Sequence, residues 1–143
     1  MASTYVPIAT QTLATAAAIT FSSIPSTYTD LMVVFYGTPA SGTGGNLILQ
    51  INGDTASNYS WTRLTGNGSA ASSTRNTNYG YTVIGALSTN CMAIVHLMNY
   101  ANTTTYKTFM ARSGYASTEV DATVNLWRST AAINSITLSQ DGS

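Results

Sequence analysis

The fold class is clearest in residues 120–127, which read VDATVNLW. Apolar and polar residues alternate through this stretch, and a period of two is expected of a β-strand with one buried face. The alternation predicts that the apolar residues face the core and that the polar residues between them face solvent. The predicted inward residues are Val120, Ala122, Val124 and Leu126.

Short apolar runs separated by turn-forming residues continue along the rest of the chain. Asn52-Gly53 is a tight-turn signal because both residues tolerate a positive φ, and residues Gly66–Thr77 are predicted to form a long exposed loop. Ten short strands without helices indicate one domain, residues 1–143, with an all-β fold: a jelly-roll-like antiparallel β-sandwich. The predicted strands are Tyr5–Ala9, Ala17–Ser22, Leu31–Tyr36, Asn46–Ile51, Ser60–Thr65, Asn78–Ile84, Cys91–Leu97, Tyr106–Ser113, Val120–Trp127 and Ser135–Leu138.

Two of these runs are apolar on both faces, Leu31–Tyr36 and, apart from His96, Cys91–Met98. Such strands are central in a sheet or are covered on their second face. For Met92 and Ile94 the cover is either a neighbouring protomer or a long loop of the same chain. His96 lies on the same side of the strand, where a core or interface histidine is expected. Met92, Ile94 and His96 are therefore the candidate interface.

The polar residues of the chain are hydroxyls and amides rather than charges. Charged residues make up 7% of the chain, against about 25% in a typical domain, whereas Thr, Ser and Asn together supply 52 of the 143 residues. A net charge of zero without a basic stretch argues against nucleic-acid binding. No run approaches the ~18 apolar residues of a membrane helix, and no secretion signal is visible. We expect a soluble protein made in a cytoplasm, with no membrane partner.

The sequence offers little material for catalysis or metal binding. It has one cysteine, Cys91, expected to be a buried thiol, and one histidine, too few for a zinc site. Glu119 and Asp121 share a strand face but form only a weak candidate for a catalytic carboxylate pair. Residues 52–55 could bind a cation through oxygens or form an Asx-capped hairpin turn. We expect no enzyme activity, no catalytic residues, no cofactor and no metal.

One group of residues could serve in recognition. Aromatic and amide side chains flank residues 66–77, and sugars stack on aromatic rings and hydrogen-bond to amides. The same residue types are adaptable contacts at protein interfaces, and they could equally cover one end of the core. The candidate recognition surface comprises Tyr59, Trp61, Tyr79, Tyr81, Asn67 and Asn76.

Four stretches carry a resemblance to a known class of proteins. They are residues 5–10 (YVPIAT), 19–31 (ITFSSIPSTYTDL), 49–60 (LQINGDTASNYS) and 64–69 (LTGNGS). The chain resembles small structural proteins of tailed bacteriophages, notably cyanophages, from about Tyr5 to Leu138. The resemblance implies a virion protein made in the host cytoplasm, with the major capsid protein or other virion proteins as partners. It brings no catalytic residues.

Three functions remain open at this point. A capsid decoration, or cement, protein fits a single domain without a long stalk whose apolar strands need cover in an assembly. A tail-fibre or receptor-binding module would recognise host surface glycan through the aromatic and amide residues. An enzyme such as a depolymerase is disfavoured by the few acids and the single histidine. We expect a homo-oligomer, and a trimer because icosahedral lattices offer three-fold positions.

Overall fold

The computed structural model describes residues 5–14, 18–38, 45–87, 90–115 and 118–141. Ten strands form two antiparallel sheets, and no helix occurs within those ranges. The predicted all-β sandwich is therefore confirmed. The strands are β1 (Ile19–Phe21), β2 (Asp30–Gly37), β3 (Gly45–Ile51), β4 (Tyr59–Gly66), β5 (Ala71–Tyr79), β6 (Thr82–Leu87), β7 (Cys91–Met98), β8 (Lys107–Tyr115), β9 (Glu119–Trp127) and β10 (Ile136–Gln140).

The strand order is that of a jelly roll with one additional hairpin. The four-stranded sheet has the order β1-β10-β3-β6, and the six-stranded sheet has the order β2-β7-β8-β9-β4-β5. Without β8 and β9, the second sheet becomes β2-β7-β4-β5, and the eight remaining strands have the two-sheet jelly-roll arrangement. The β8–β9 hairpin therefore widens one sheet, which leaves that sheet with a broad outer face.

The core lies between the two sheets. Leu49 and Ile51 of β3 are fully buried and pack with Leu97 of β7 and Phe109 of β8, as the period of two requires. A smaller cluster forms on the opposite face of β3, where Ile48 packs with a tryptophan of β4 and a valine of β6. A side chain of β4 therefore packs against the face of β3 that points away from the main core.

Two strand predictions are wrong. Residues Tyr5–Ala9 form no strand, and Asn78–Ile84 is divided by a turn between β5 and β6, with a positive φ of 61° at Asn78. The other eight predicted runs each correspond to a strand to within a few residues; Ala17, at the start of one, lies outside the described residues.

The long loop predicted over Gly66–Thr77 is also wrong, because most of it is the edge strand β5, which pairs with β4 along its whole length. The hairpin turn is short, and the side chain of Asn67 accepts the N–H groups of Ser69 and Ala70. β5 is exposed on both faces, so it carries no apolar alternation that could have indicated a strand.

The orientation predicted for β9 is wrong as well. Val120, Ala122 and Val124 are exposed on the outer face of the sheet. The polar residues Asp121, Thr123 and Asn125 are buried between the sheets instead. The alternation was correct, but its two faces were assigned the wrong way round.

Candidate docking surface

The outer face of the six-stranded sheet, hereafter the apolar face, carries large apolar side chains on five neighbouring strands. Eight of them are 46–72% exposed. They are Val34 and Tyr36 on β2, Met92 and Met98 on β7, Met110 on β8, Val120 and Val124 on β9, and Leu64 on β4. Single exposed apolar residues are normal on a monomer, but a group of this size on one sheet face marks an interaction surface.

The strand register joins these side chains into continuous rows across the sheet. Met110 on β8 lies opposite His96 on one side and Val124 on the other. One row further along, Leu64 on β4 lies opposite Ala122 on β9. The apolar side chains therefore form one surface from β2 to β4. His96 and Arg112 interrupt it, and the polar residues Ser60 and Thr62 of β4 and the polar strand β5 border it.

The predicted interface residues all lie on this face. Met92 is 46% exposed, and Ile94 and His96 are half-buried between neighbouring strands. Nε2 of His96 is 3.6 Å from Oδ2 of Asp30, at the edge of the sheet. Because Met92 is open to solvent, the interpretation that a loop of the same chain covers it fails for the described part of the chain.

One exposed cation lies in the middle of the apolar face. Arg112 on β8 is opposite Ile94 of β7 and Ala122 of β9 in the register. No carboxylate within the described ranges lies within ion-pair distance of its guanidinium. A docking partner that covers this face therefore binds most favourably if it places a carboxylate beside Arg112, because an unpaired charge is costly to bury.

The polar residues of β9 face inward because the edge of β6 needs hydrogen-bond partners. β6 pairs with only one strand, β3, so half of its backbone groups lack a ladder partner. Thr123 donates its hydroxyl to the carbonyl of Ile84, and the N–H of Ala86 donates to Oδ2 of Asp121 at 3.0 Å. Asn125 bonds to the hydroxyl of Thr82. These bonds join the two sheets.

Asp121 has a structural role in this arrangement. Its Oδ1 accepts the hydroxyl of Thr65 and lies 3.9 Å from Nε of Arg63, and its Oδ2 also lies 3.5 Å from Oγ of Ser113. Its neighbour in the weakly indicated acid pair, Glu119, is half-buried. With both oxygens of Asp121 engaged by donors in the interior, the carboxylate is positioned to hold strands together.

The turn at residues 52–54 leads into an Asx-type bond at Asp54, but the predicted hairpin is wrong because β3 and β4, which the turn connects, lie in different sheets. Asn52 and Gly53 have positive φ values of 54° and 67°, and the N–H of Asp54 donates to the carbonyl of Ile51. Both carboxylate oxygens of Asp54 accept hydrogen bonds, from the N–H of Ala56 and from the side chains of Asn58 and Trp127. Burial raises the pKa of Asp54, but these three donors outweigh it, and the pKa lies below its usual range. The donors occupy the positions that a cation would need, and no cluster of three metal-ligating side chains lies within the described ranges.

The structure buries some residues of the candidate recognition surface and leaves others at the molecular surface. Tyr59 and Trp61 are buried, so their inclusion was wrong. The hydroxyl of Tyr59 accepts the N–H of Ile51, and burial raises the pKa of that phenol. Tyr79 remains 38% exposed and packs edge-to-face on Tyr81, with ring centroids 5.4 Å apart.

The two amides of that surface have different positions. Asn67 caps the tip of the β4–β5 turn, and Asn76 lies opposite Trp61 in the β4–β5 ladder, where it is half-buried. Asn67 lies at the opposite end of β5 from Tyr79, whereas Asn76 precedes Tyr79 by three residues on the same strand. Of the aromatic residues in the predicted group, Tyr79 is exposed, and it packs on the half-buried Tyr81.

An N-terminal arm, residues 5–14, is exposed throughout and has no regular secondary structure. Its apolar side chains Tyr5, Val6, Ile8 and Leu13 are 41–61% exposed. Nε2 of Gln11 donates to the carbonyl of Thr20 at 2.8 Å, which holds the end of the arm beside β1. A cleft of about 800 Å³ lies between residues 5–11 and the first half of β2.

Sequence reasoning missed the extent of the apolar face. The signal was present in the two runs that are apolar on both sides, but residues of β9 and β4 completed the surface, and those of β9 had been assigned to the core.

Among the described residues there is no helix long and apolar enough to cross a membrane. Comparison of the chain with known protein families, curated proteins and solved structures gave no significant match.

Proposed function

We propose that the chain is a structural protein of a tailed-bacteriophage particle: a decoration protein that binds the outer capsid through its apolar face. The observation that carries the proposal is the surface of eight exposed large apolar side chains on one sheet. Removing such a surface from water is favourable by about 25 cal/mol per Å² before the costs of association. The assignment to a phage particle rests on the resemblance of residues 19–31 and 49–60.

The charge distribution favours coat protein over a second copy as the partner of this face. Two copies related by a two-fold axis through the centre of the face would bring their Arg112 side chains together, and like charges facing each other are unfavourable. A coat protein can offer a carboxylate instead. Because the chain has only ten formal charges, we expect attachment to depend weakly on salt.

The proposal can be tested on particles of the phage that encodes the chain, with its gene deleted. Purified protein is mixed with these particles, capsids and tails are separated, and the bound protein is measured. We expect wild-type protein to bind capsids, and Val124→Lys to bind at least tenfold more weakly because it places a charge on the apolar face. Ser72→Lys, on the polar edge strand β5, is the matched control and should bind like wild type.

Each result decides between functions. Binding to capsids that Val124→Lys abolishes and Ser72→Lys retains supports the decoration function. Binding to tails alone transfers the function to the fibre alternative. Binding to neither structure, or equal binding of both variants, contradicts attachment through the apolar face.

A tail-fibre module that recognises host glycan is the second candidate. It is favoured by Tyr79, which is 38% exposed and stands edge-to-face on the half-buried Tyr81, because aromatic faces stack on sugars. Its test is binding to purified host polysaccharide. The candidate predicts saturable binding that is lost in Tyr79→Ala and kept in Tyr106→Ala, a second exposed tyrosine outside the pair.

A further inference from the structure

Two of the eleven asparagines in the chain, Asn52 and Asn67, are followed by glycine. An asparagine loses its side-chain amide when the backbone nitrogen of the next residue attacks its Cγ atom. Glycine favours this attack because it has no Cβ to keep the backbone and the side chain apart. The structure places the two Asn-Gly pairs in different surroundings, which predicts different reactivity for them.

The side chain of Asn67 bends over its own turn at the exposed tip of the β4–β5 hairpin. Its Oδ1 accepts the N–H of Ser69 at 3.0 Å and the N–H of Ala70 at 2.8 Å. Because Gly68 lies between Asn67 and Ser69, these bonds hold Cγ of Asn67 close to the backbone nitrogen of Gly68. In the described part of the chain, neither that nitrogen nor Nδ2 of Asn67 donates to another group. The nucleophile and the leaving group are therefore both open to solvent.

The same turn places hydrogen-bond donors where negative charge develops. When the nitrogen of Gly68 adds to Cγ of Asn67, the carbonyl double bond opens and Oδ1 becomes an oxyanion. Donors that are already aimed at such an oxygen stabilise the tetrahedral intermediate, as in an oxyanion hole. The N–H groups of Ser69 and Ala70 are two donors of this kind.

Asn52 also has two donors at Oδ1, but its amide is held by a distant segment of the chain. Oδ1 accepts the N–H groups of Asn134 and Ser135, and Nδ2 donates to the carbonyl of Ala132 at 2.8 Å. The side chain is half-buried against this segment, so it is directed away from the nitrogen of Gly53. Attack by Gly53 has to break these bonds first, and the leaving group is already engaged.

We propose that Asn67 is a site of spontaneous deamidation in the folded protein and that the fold protects Asn52 from the same reaction. The backbone nitrogen of Gly68 gives its proton to solvent base and forms a bond to Cγ of Asn67. The Cγ–Nδ2 bond then breaks, and Nδ2 leaves as ammonia with a proton taken from water. Water opens the resulting cyclic imide at either carbonyl, which gives aspartate or isoaspartate.

The aspartate product keeps the cap of the turn but changes its charge. Its carboxylate still accepts the N–H groups of Ser69 and Ala70, and hydrogen bonds to a charged acceptor are the stronger ones. The formal net charge of the chain falls from zero by one unit. Because the preceding residue, Gly66, pairs with Val120, the new charge lies at the border of the apolar face. Each copy thus acquires a carboxylate there with age.

Timed peptide mapping of the purified, folded protein measures both asparagines in one sample. Trypsin cleaves after Arg63 and so separates the two sites into different peptides. Mass spectrometry quantifies the deamidated fraction, and chromatography separates isoaspartate from aspartate. We expect Asn67 to react at least tenfold faster than Asn52, which corresponds to about 1.4 kcal/mol in barrier height. We expect both products at residue 67, since only the imide route gives isoaspartate.

The same incubation in urea is the control for the effect of the fold. Both Asn-Gly pairs are exposed there, and their rates should become similar. Two matched variants locate the nucleophile: Gly68→Ala should slow the reaction at residue 67, whereas Gly53→Ala should leave it unchanged. Neither new Cβ has an atom within 4 Å, and the Tm of each variant is measured alongside.

Four results would overturn the proposal. They are equal rates in the folded protein, a faster reaction at Asn52, aspartate without isoaspartate at residue 67, and a rate difference that persists in urea. In the last case the neighbouring sequence, and not the fold, would set the rates. The assay uses no capsids, so its outcome is separate from that of the binding test for the proposed function.

Discussion

Replacing Gly85 with alanine tests how closely β6 packs against β8. A Cβ atom at Gly85 would lie 2.6 Å from Cβ of Ser113 and closer still to its Oγ, whereas carbon atoms pack at about 3.5–4.0 Å. Oδ2 of Asp121 would lie 3.3 Å away. Because Cβ of Ser113 is fixed to the backbone of β8, no rotamer change removes the clash. We expect β6 to move away from the wide sheet.

The size of the effect follows from two contributions. Overpacking of a well-packed site costs about 1–3 kcal/mol. Movement of β6 also weakens the bonds from Ala86 to Asp121 and from Thr123 to Ile84, each of which is worth about 0.5–1.5 kcal/mol. We expect Gly85→Ala to lower the free energy of unfolding by about 2–4 kcal/mol and Tm by about 5–15 °C at this chain length.

Thermal unfolding followed by circular dichroism measures Tm, and urea unfolding followed by tryptophan fluorescence measures the free energy. Gly66→Ala is the control, since the nearest side-chain atom to its new Cβ is 4.0 Å away, and it should not lose stability. Ser113→Gly in the Gly85→Ala background should recover at least half of the loss. The reasoning is refuted if Gly85→Ala has the same Tm as wild type, or if adding Ser113→Gly recovers none of the lost stability.

Three further changes separate structural from docking residues. Tyr59→Phe should cost about 1–3 kcal/mol in urea unfolding, because the buried N–H of Ile51 loses its acceptor; an unchanged midpoint would contradict that role. The lowered pKa of Asp54 means that its contribution to stability is present above about pH 4 and is lost as the pH falls through the lower folded value. Acid titration of Asp54→Asn should therefore show a smaller loss of stability below pH 4 than wild type, and parallel curves would argue against it. Val124→Lys should melt within about 2 °C of wild type because its side chain is 53% exposed; a large drop would place Val124 in the core.

The sequence alone determined the all-β fold class, because strand and turn formation depend on the chemistry of neighbouring residues. A period of two, β-branched and aromatic residues and turn residues sufficed for the all-β sandwich and for eight of its strands. The Asn52-Gly53 turn followed in the same way, since only residues that tolerate positive φ fit it. The buried position of Cys91 was also correct. Each of these features is set by a few neighbouring residues.

Only the tertiary structure decided which face of β9 lies inside. Alternation defines two faces but not their surroundings, and the inner face had to supply donors and acceptors to the free edge of β6. Asp121 and Thr123 meet that need, so Val120 and Val124 lie outside. Burying an unbonded backbone group would cost more than exposing a valine. The apolar face is the candidate docking surface, and its β9 part exists because β9 directs its polar residues between the sheets and its valines outward.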